Sequence, residues 1–184
     1  MDRFDWIRGH CSPEEKTVDI GGNQGHTFKG WKNATTVDID LYDVPNFVQA
    51  NAESLPFKDN SFDTAVLAEV LEHVEDPVKA MKEAKRVASK IIITVPNEYE
   101  WKKGLGAFIK PEDAAKQQKL TVEELAERDN PAIKHYKDNY RHIFHNRYYT
   151  RKMLEEHLQK AEIKNYKIAK LYTEGFAFWT VVCK

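Results

Sequence analysis

The run Asp19-Ile-Gly-Gly-Asn-Gln-Gly25 ends an apolar, β-branched stretch with three glycines and an asparagine. Glycines at the end of a strand let the chain turn tightly and let a ligand approach the main chain without meeting side chains. A plain strand-to-helix turn needs one glycine. Here three fall within five residues, and in T-T-V-D-I-D the next strand-like run, T-T-V, is followed by an acidic residue. That residue, Asp38, can accept both hydroxyl hydrogens of a ribose, which a backbone carbonyl cannot do in bidentate fashion. The pair of features points to a nucleoside-type ligand. Asp40, two residues on, reads as a cap of the following turn.

A second concentration of chemistry-bearing side chains lies in H-Y-K-D-N-Y-R-H-I-F-H-N-R-Y-Y, where His135, His142 and His145 crowd with Tyr136, Tyr140, Tyr148, Tyr149, Arg141 and Arg147. His142 and His145 have a spacing that could ligate a metal, but no cysteine or close carboxylate completes a set, so no metal is expected. The aromatic and basic mixture could stack bases and hold phosphates of RNA. A packed lid with a solvated rim is the favoured reading. Between these two regions His73, in L-E-H-V-E-D-P, could take a proton or could simply pack and hydrogen-bond.

Elements must bring these residues together. Runs 17–21, 35–39, 47–50, 62–68 and 90–95 are short, rich in β-branched residues and bounded by turn residues, as buried parallel strands are. Residues 77–89 carry a helical apolar stripe, with Asp76 as N-cap and Pro77 in the first turn, and this helix crosses from the fourth strand to the fifth. A further helix is expected over 149–161, then strands over 164–171 and 176–183 joined as an antiparallel hairpin around 173–175. Alternating strands and helices predict an α/β, doubly wound sheet whose ligand site lies outside the carboxyl ends of the strands.

At 184 residues, 41% hydrophobic and 31% charged, the chain suits a single domain over 1–184. Its 28 basic and 29 acidic residues give a net charge of -1, with no bulk excess to draw it to nucleic acid or anionic membrane. Cys11 and Cys183 are too few for a disulfide framework, which suits a reducing compartment. No apolar run approaches the roughly 20 residues of a membrane helix, and the start lacks a signal-peptide core, so a cytoplasmic location is expected.

D-I-G-G-N-Q-G, then T-V-D-I-D, then N-A-E-S-L-P-F-K-D-N-S-F-D-T-A-V-L-A-E-V-L-E-H-V-E-D-P, resembles the successive motifs of class I S-adenosylmethionine-dependent methyltransferases, in particular the group acting on small molecules. The resemblance runs from about residue 17 to 96, and the terminal hairpin is similar to the reversed seventh strand of that fold. It implies S-adenosylmethionine as cofactor and a mostly parallel, seven-stranded, Rossmann-like sheet. Asp19, Gly21, Gly22, Asn23 and Gly25 would then form the loop at the methionine portion. Asp38 would bind the ribose and Ile39 would lie against the adenine, with Asn51, Ala52 and Glu53 near the adenine amino group. Leu67, Ala68 and Glu69 would line the amino-acid end and the acceptor pocket. Glu69, His73, Tyr140 and His142 are the candidates for acceptor-side catalysis.

Two positions depart from the family pattern. Asn23 stands where the turn usually has its middle glycine, and asparagine is the non-glycine residue that best tolerates a left-handed backbone. Asn51 replaces an acidic residue, keeping an acceptor oxygen without the charge. Only ten residues, 24–33, separate the first turn from the second strand, so the first helix is expected to be shortened, as are those around 41–46 and 53–60. That edge would be thinly covered, and a partner chain, such as a second copy in a homodimer, could cover it. Residues 97–148 form an insertion above the carboxyl ends, placed to act as a lid and choose the acceptor. Three readings stay open: a methyltransferase acting on oxygen, nitrogen or carbon of a small molecule; one acting on RNA or protein; and a cofactor-binding protein with little turnover.

Overall fold

β-branched residues fill the middle strands because those strands are covered on both sides, where stiff apolar side chains pack well. In a computed structural model of the chain, described here for residues 2–97, 146–173 and 176–183, this produces one seven-stranded sheet. The strands are β1 (Thr17–Ile20), β2 (Ala34–Asp38), β3 (Phe47–Gln49), β4 (Phe62–Ala68), β5 (Ala88–Pro96), β6 (Tyr166–Tyr172) and β7 (Ala177–Cys183). Their spatial order is β3-β2-β1-β4-β5-β7-β6. The first five run parallel, and β7 lies antiparallel between β5 and β6. All four residues of β1 are buried, since β2 and β4 flank it and side chains cover both faces.

Three helices are described: α1 (Arg3–Arg8), α2 (Pro77–Val87) and α3 (Arg151–Lys160). α2 begins as expected, with the Asp76 carboxylate accepting from the Lys79 N–H at 2.9 Å, a cap that contributes about 1 kcal/mol. It ends two residues earlier than its sequence stripe, because Ala88 pairs with Phe62 and already belongs to β5. Thr150 caps α3 by accepting from the Met153 N–H at 3.1 Å. α2 and α3 set Met81, Ala84, Leu154 and Leu158 against Val18, Leu67, Ile93 and Val181 to make the larger core. On the opposite face α1 has only Ile7 to bury, with Phe28, Ala34, Val66 and Ile92.

Where shortened helices were expected, the chain makes turns: residues 21–33 and 39–46 contain no helix. Residues 50–61 are also irregular, and side chains of α2 hold them in place. Arg86 donates to the carbonyls of Leu55 at 3.1 Å and Phe57 at 2.7 Å, and pairs with Glu83 and Asp59. Glu83 in turn accepts from the Leu55 N–H at 2.7 Å. Backbone groups that a helix would have satisfied internally are satisfied here by one guanidinium and one carboxylate.

Candidate functional site

The glycine turn closes over the end of β1. Gly21 and Gly25 have φ of 71° and 69°, and Asn23 between them has φ of 50°, the left-handed conformation that asparagine tolerates. The Gly21 and Gly22 N–H groups both donate to the Val37 carbonyl, at 2.7 and 3.0 Å, fastening the turn to β2. Two glycines are required by the protein's own packing. A Cβ on Gly21 would collide with Val70, and one on Gly22 would lie 2.7 Å from Asp19 Oδ2. The turn therefore sits directly on the segment that follows β4.

Asp38 leaves the end of β2 half-buried and pointing at this turn. Its Oδ2 accepts from the Asn23 N–H at 2.9 Å and its Oδ1 from the Asp40 N–H at 3.1 Å. Each carboxylate oxygen has a second lone pair, so the group can still accept from two hydroxyls. Ile39, the next residue, is 61% exposed. That leaves its apolar side chain open to contact with a flat ligand.

Asp19 occupies the interior of the turn at 1% exposure. Burial pushes its carboxyl up to about 7; the Thr27 hydroxyl and the Arg3 charge oppose that rise, and the Asp38 charge adds to it. Among the described residues its Oδ2 has no hydrogen-bond partner. A buried acceptor left so is costly, and a donor brought by a ligand would relieve it.

The segment after β4 carries the remaining described candidates. Glu69 turns sharply, with φ of 57°. Its N–H donates to the Thr94 carbonyl at 3.0 Å, and its Oε1 accepts from the Thr94 hydroxyl at 2.8 Å. Arg3 Nη1 lies 3.5 Å from its Oε2. Its side chain is therefore tied into the protein and is not a freely solvated one. His73 is half-buried, with Nε2 3.8 Å from Glu72 Oε1. Residues 146 and 147 clamp this segment. Asn146 Nδ2 donates to the His73 carbonyl at 2.6 Å, while Arg147 reaches the carbonyls of Leu71, Val74 and Glu75 at 2.5, 2.7 and 3.1 Å.

Other expected residues have more local tasks. Asn51 Oδ1 accepts from the Glu53 N–H at 2.8 Å in a side-chain-capped turn. Glu53 Oε1 accepts from the N–H groups of Glu75 and Asp76, at 3.0 and 3.1 Å, bracing the approach to α2. The Leu67 side chain is fully buried in the larger core, so only its main chain could face a ligand; Ala68, on the α1 face, is half-buried. Tyr140 and His142, with most of the lid expected over 97–148, lie outside the described residues. Asp19, the glycine turn, Asp38 and Glu69 are thus assembled around the carboxyl ends of β1, β2 and β4. Arg3 and Thr27, which belong to no motif of the sequence, and Val70 complete that surround.

Residues 18–90 match the family described as a methyltransferase domain. A curated relative, the ubiquinone/menaquinone biosynthesis C-methyltransferase UbiE of Rickettsia prowazekii, is 48% identical over 52 residues. Those residues are 28% of this chain, and the chain covers 21% of that protein's length. Among solved structures, a SAM-dependent methyltransferase from Methanosarcina mazei superposes with a TM-score of 0.62 at 21% identity, covering all of this chain and 99% of the other. The N-terminal domain of EvdMO1, solved with SAH bound, gives 0.61 at 16% identity, covering all of this chain and 81% of that one. At these identities the likeness concerns the fold, which is that of the class I methyltransferases.

Proposed function

We propose that this chain, which has the class I S-adenosylmethionine-dependent methyltransferase fold and a methyltransferase-family segment at residues 18–90, moves a methyl group from S-adenosylmethionine to oxygen, nitrogen or carbon of a small molecule. One observation carries the reading. A buried carboxyl with an unsatisfied oxygen, a left-handed glycine turn and a strand-end carboxylate stand together at the mouth between β1, β2 and β4. They suit a ligand that joins an amino acid to an adenosine. Asp38 would take the ribose hydroxyls, and Ile39 the adenine face beside Asn51, Ala52 and Glu53. Asp19, with Gly21, Gly22, Asn23 and Gly25, would hold the amino-acid end near Leu67 and Ala68.

When bound, the sulfonium supplies an already electrophilic methyl. The protein's task is then mainly to hold the acceptor atom in line, an effect that can supply roughly 7–11 kcal/mol. Glu69 and His73 stand on the segment that touches the glycine turn, where an acceptor proton could be taken, and Tyr140 and His142 are proposed for the same side. Asn146 and Arg147 clamp that segment to the chain leading into α3, and we propose residues 97–148 as a lid over it. We read the chain as one domain that works in the cytoplasm, consistent with its two free thiols. Among the described residues no helix is long and apolar enough to cross a membrane. A homodimer through the thin β3 edge fits the same reading, and sedimentation would test it.

The decisive experiment is titration calorimetry with S-adenosylmethionine and S-adenosylhomocysteine (SAH), followed by transfer of a labelled methyl to fractionated cell extract. Saturable binding with label in a small-molecule fraction is expected. No binding at millimolar cofactor would overturn the reading.

A further inference from the structure

α1 is short, yet it is attached at both ends to the rim of the site. Arg8 Nη1 donates to the Thr27 carbonyl at 3.0 Å, and Thr27 is the residue whose hydroxyl bonds Asp19. At the other end Arg3 reaches over the carboxyl ends of β4 and β5. Its guanidinium stands 3.5 Å from Glu69 Oε2 and 5.5 Å above the centre of the Phe178 ring, and Phe178 pairs with Pro96 at the end of β5.

Arginine carries five donors and no acceptor, and it is normally buried only when those donors are used. Arg3 is underused. Its Nε is buried with no hydrogen-bond partner among the described residues, and a 3.5 Å approach to Glu69 is long for a charge-assisted bond, which runs about 2.7–2.9 Å. The charge nevertheless reaches the interior of the turn, where it acts on Asp19. So one cation with an unused donor and one carboxyl with an unused acceptor flank the same mouth. That is the pattern a zwitterion requires, an anion acceptor on one side and an ammonium acceptor on the other.

We propose that Arg3, delivered by α1, is the binding partner of the α-carboxylate at the amino-acid end of the cofactor. This rests on the cofactor reading above and assigns a residue that no motif in the chain marks. Cation–π contacts to the ring centres of Phe4 at 4.8 Å and Phe178 at 5.5 Å help to place the guanidinium, and Glu69 keeps its charge at the rim. An incoming carboxylate would make the short, bidentate contact that Glu69 does not.

The test compares two probes that share the thioadenosine and differ at the amino-acid end, SAH and 5′-methylthioadenosine, by calorimetry on the full chain. In Arg3→Gln, SAH affinity should fall about 10- to 100-fold while affinity for 5′-methylthioadenosine changes less than about twofold, and Arg3→Lys should recover part of the loss. Equal weakening of both probes, or of neither, would overturn the assignment. Should Arg3→Gln fail to fold, the unmodified chain decides: the carboxamide of SAH should bind at least about tenfold more weakly than SAH, and equal affinity would overturn it. If the unmodified chain binds neither SAH nor 5′-methylthioadenosine, the cofactor reading itself fails and this inference goes with it.

Discussion

Replacing Asp38 by alanine separates two roles that one carboxylate combines. In the free protein it accepts from the backbone N–H groups of Asn23 and Asp40, at 2.9 and 3.1 Å. Both bonds are open to water and contribute about 0.5–1.5 kcal/mol each, so Asp38→Ala should cost about 1–3 kcal/mol of stability. For a chain of this size that lowers the melting temperature by roughly 3–10 °C. With ligand present the same group would accept two ribose hydroxyls. Bonds to a charged acceptor contribute about 1.5–3 kcal/mol each, hence roughly 10²- to 10⁴-fold in affinity for SAH. Asp38→Asn keeps one acceptor oxygen without the charge and should fall between. Calorimetry gives the affinity, and thermal unfolding without ligand gives the stability. An Asp38→Ala chain that melts early yet binds SAH within threefold of the unmodified protein would refute the ribose assignment. Asp38 would then be only a clasp for the turn.

Other outcomes follow from the same geometry. Gly21→Ala drives a Cβ into Val70 at φ of 71°, so it should cost about 2 kcal/mol or more, and Val70→Ala in the same chain should restore part of the loss; denaturant titration checks both. Arg86→Ala frees the carbonyls of Leu55 and Phe57 and strands Glu83, with an expected loss of about 2–4 kcal/mol and poor rescue by lysine, which cannot reproduce the fork. Asp19 has its folded pKa raised to about 7 from an ordinary 3.8, so between those values the folded state holds the extra proton. Stability without ligand should therefore fall as pH rises from about 4 to 7. Asp19→Asn should remove that slope, measured as the difference between the two melting temperatures across the range.

Most of the strands were readable because they are short runs rich in β-branched residues that end in turn residues. The start of α2 was readable because Asp76 is a cap whose side chain does what its chemistry favours, whereas α3 begins two residues after the expected 149, with Thr150 as its cap. The end of α2 was not, since Ala88 and Ser89 continue a helical stripe and only pairing with Phe62 draws that stretch into β5. α1 escaped notice because six residues with one buried side chain, Ile7, make no periodic pattern. In the site, the left-handed Asn23 was legible from asparagine's own conformational tolerance. The bracing roles of Glu53 and Arg147 depend on residues more than twenty and seventy positions away, respectively, which local sequence cannot reveal. The glycines illustrate the limit best. Their clustering marked the turn, but two of them answer to Val70 and Asp19 as much as to any ligand.

The attachment of residues 55–59 to Glu83 and Arg86 bears on the order in which the chain can assemble during synthesis. The irregular stretch leading into β4 has no internal ladder of its own, and its fasteners emerge from the ribosome some thirty residues later. Until α2 has formed, β4 has no firm lead-in, and β1, which needs β4 along one side, stays open to solvent there. The first sixty residues should therefore behave as a waiting, protease-sensitive nascent segment. The helix that crosses between the fourth and fifth strands would be the event that commits the sheet.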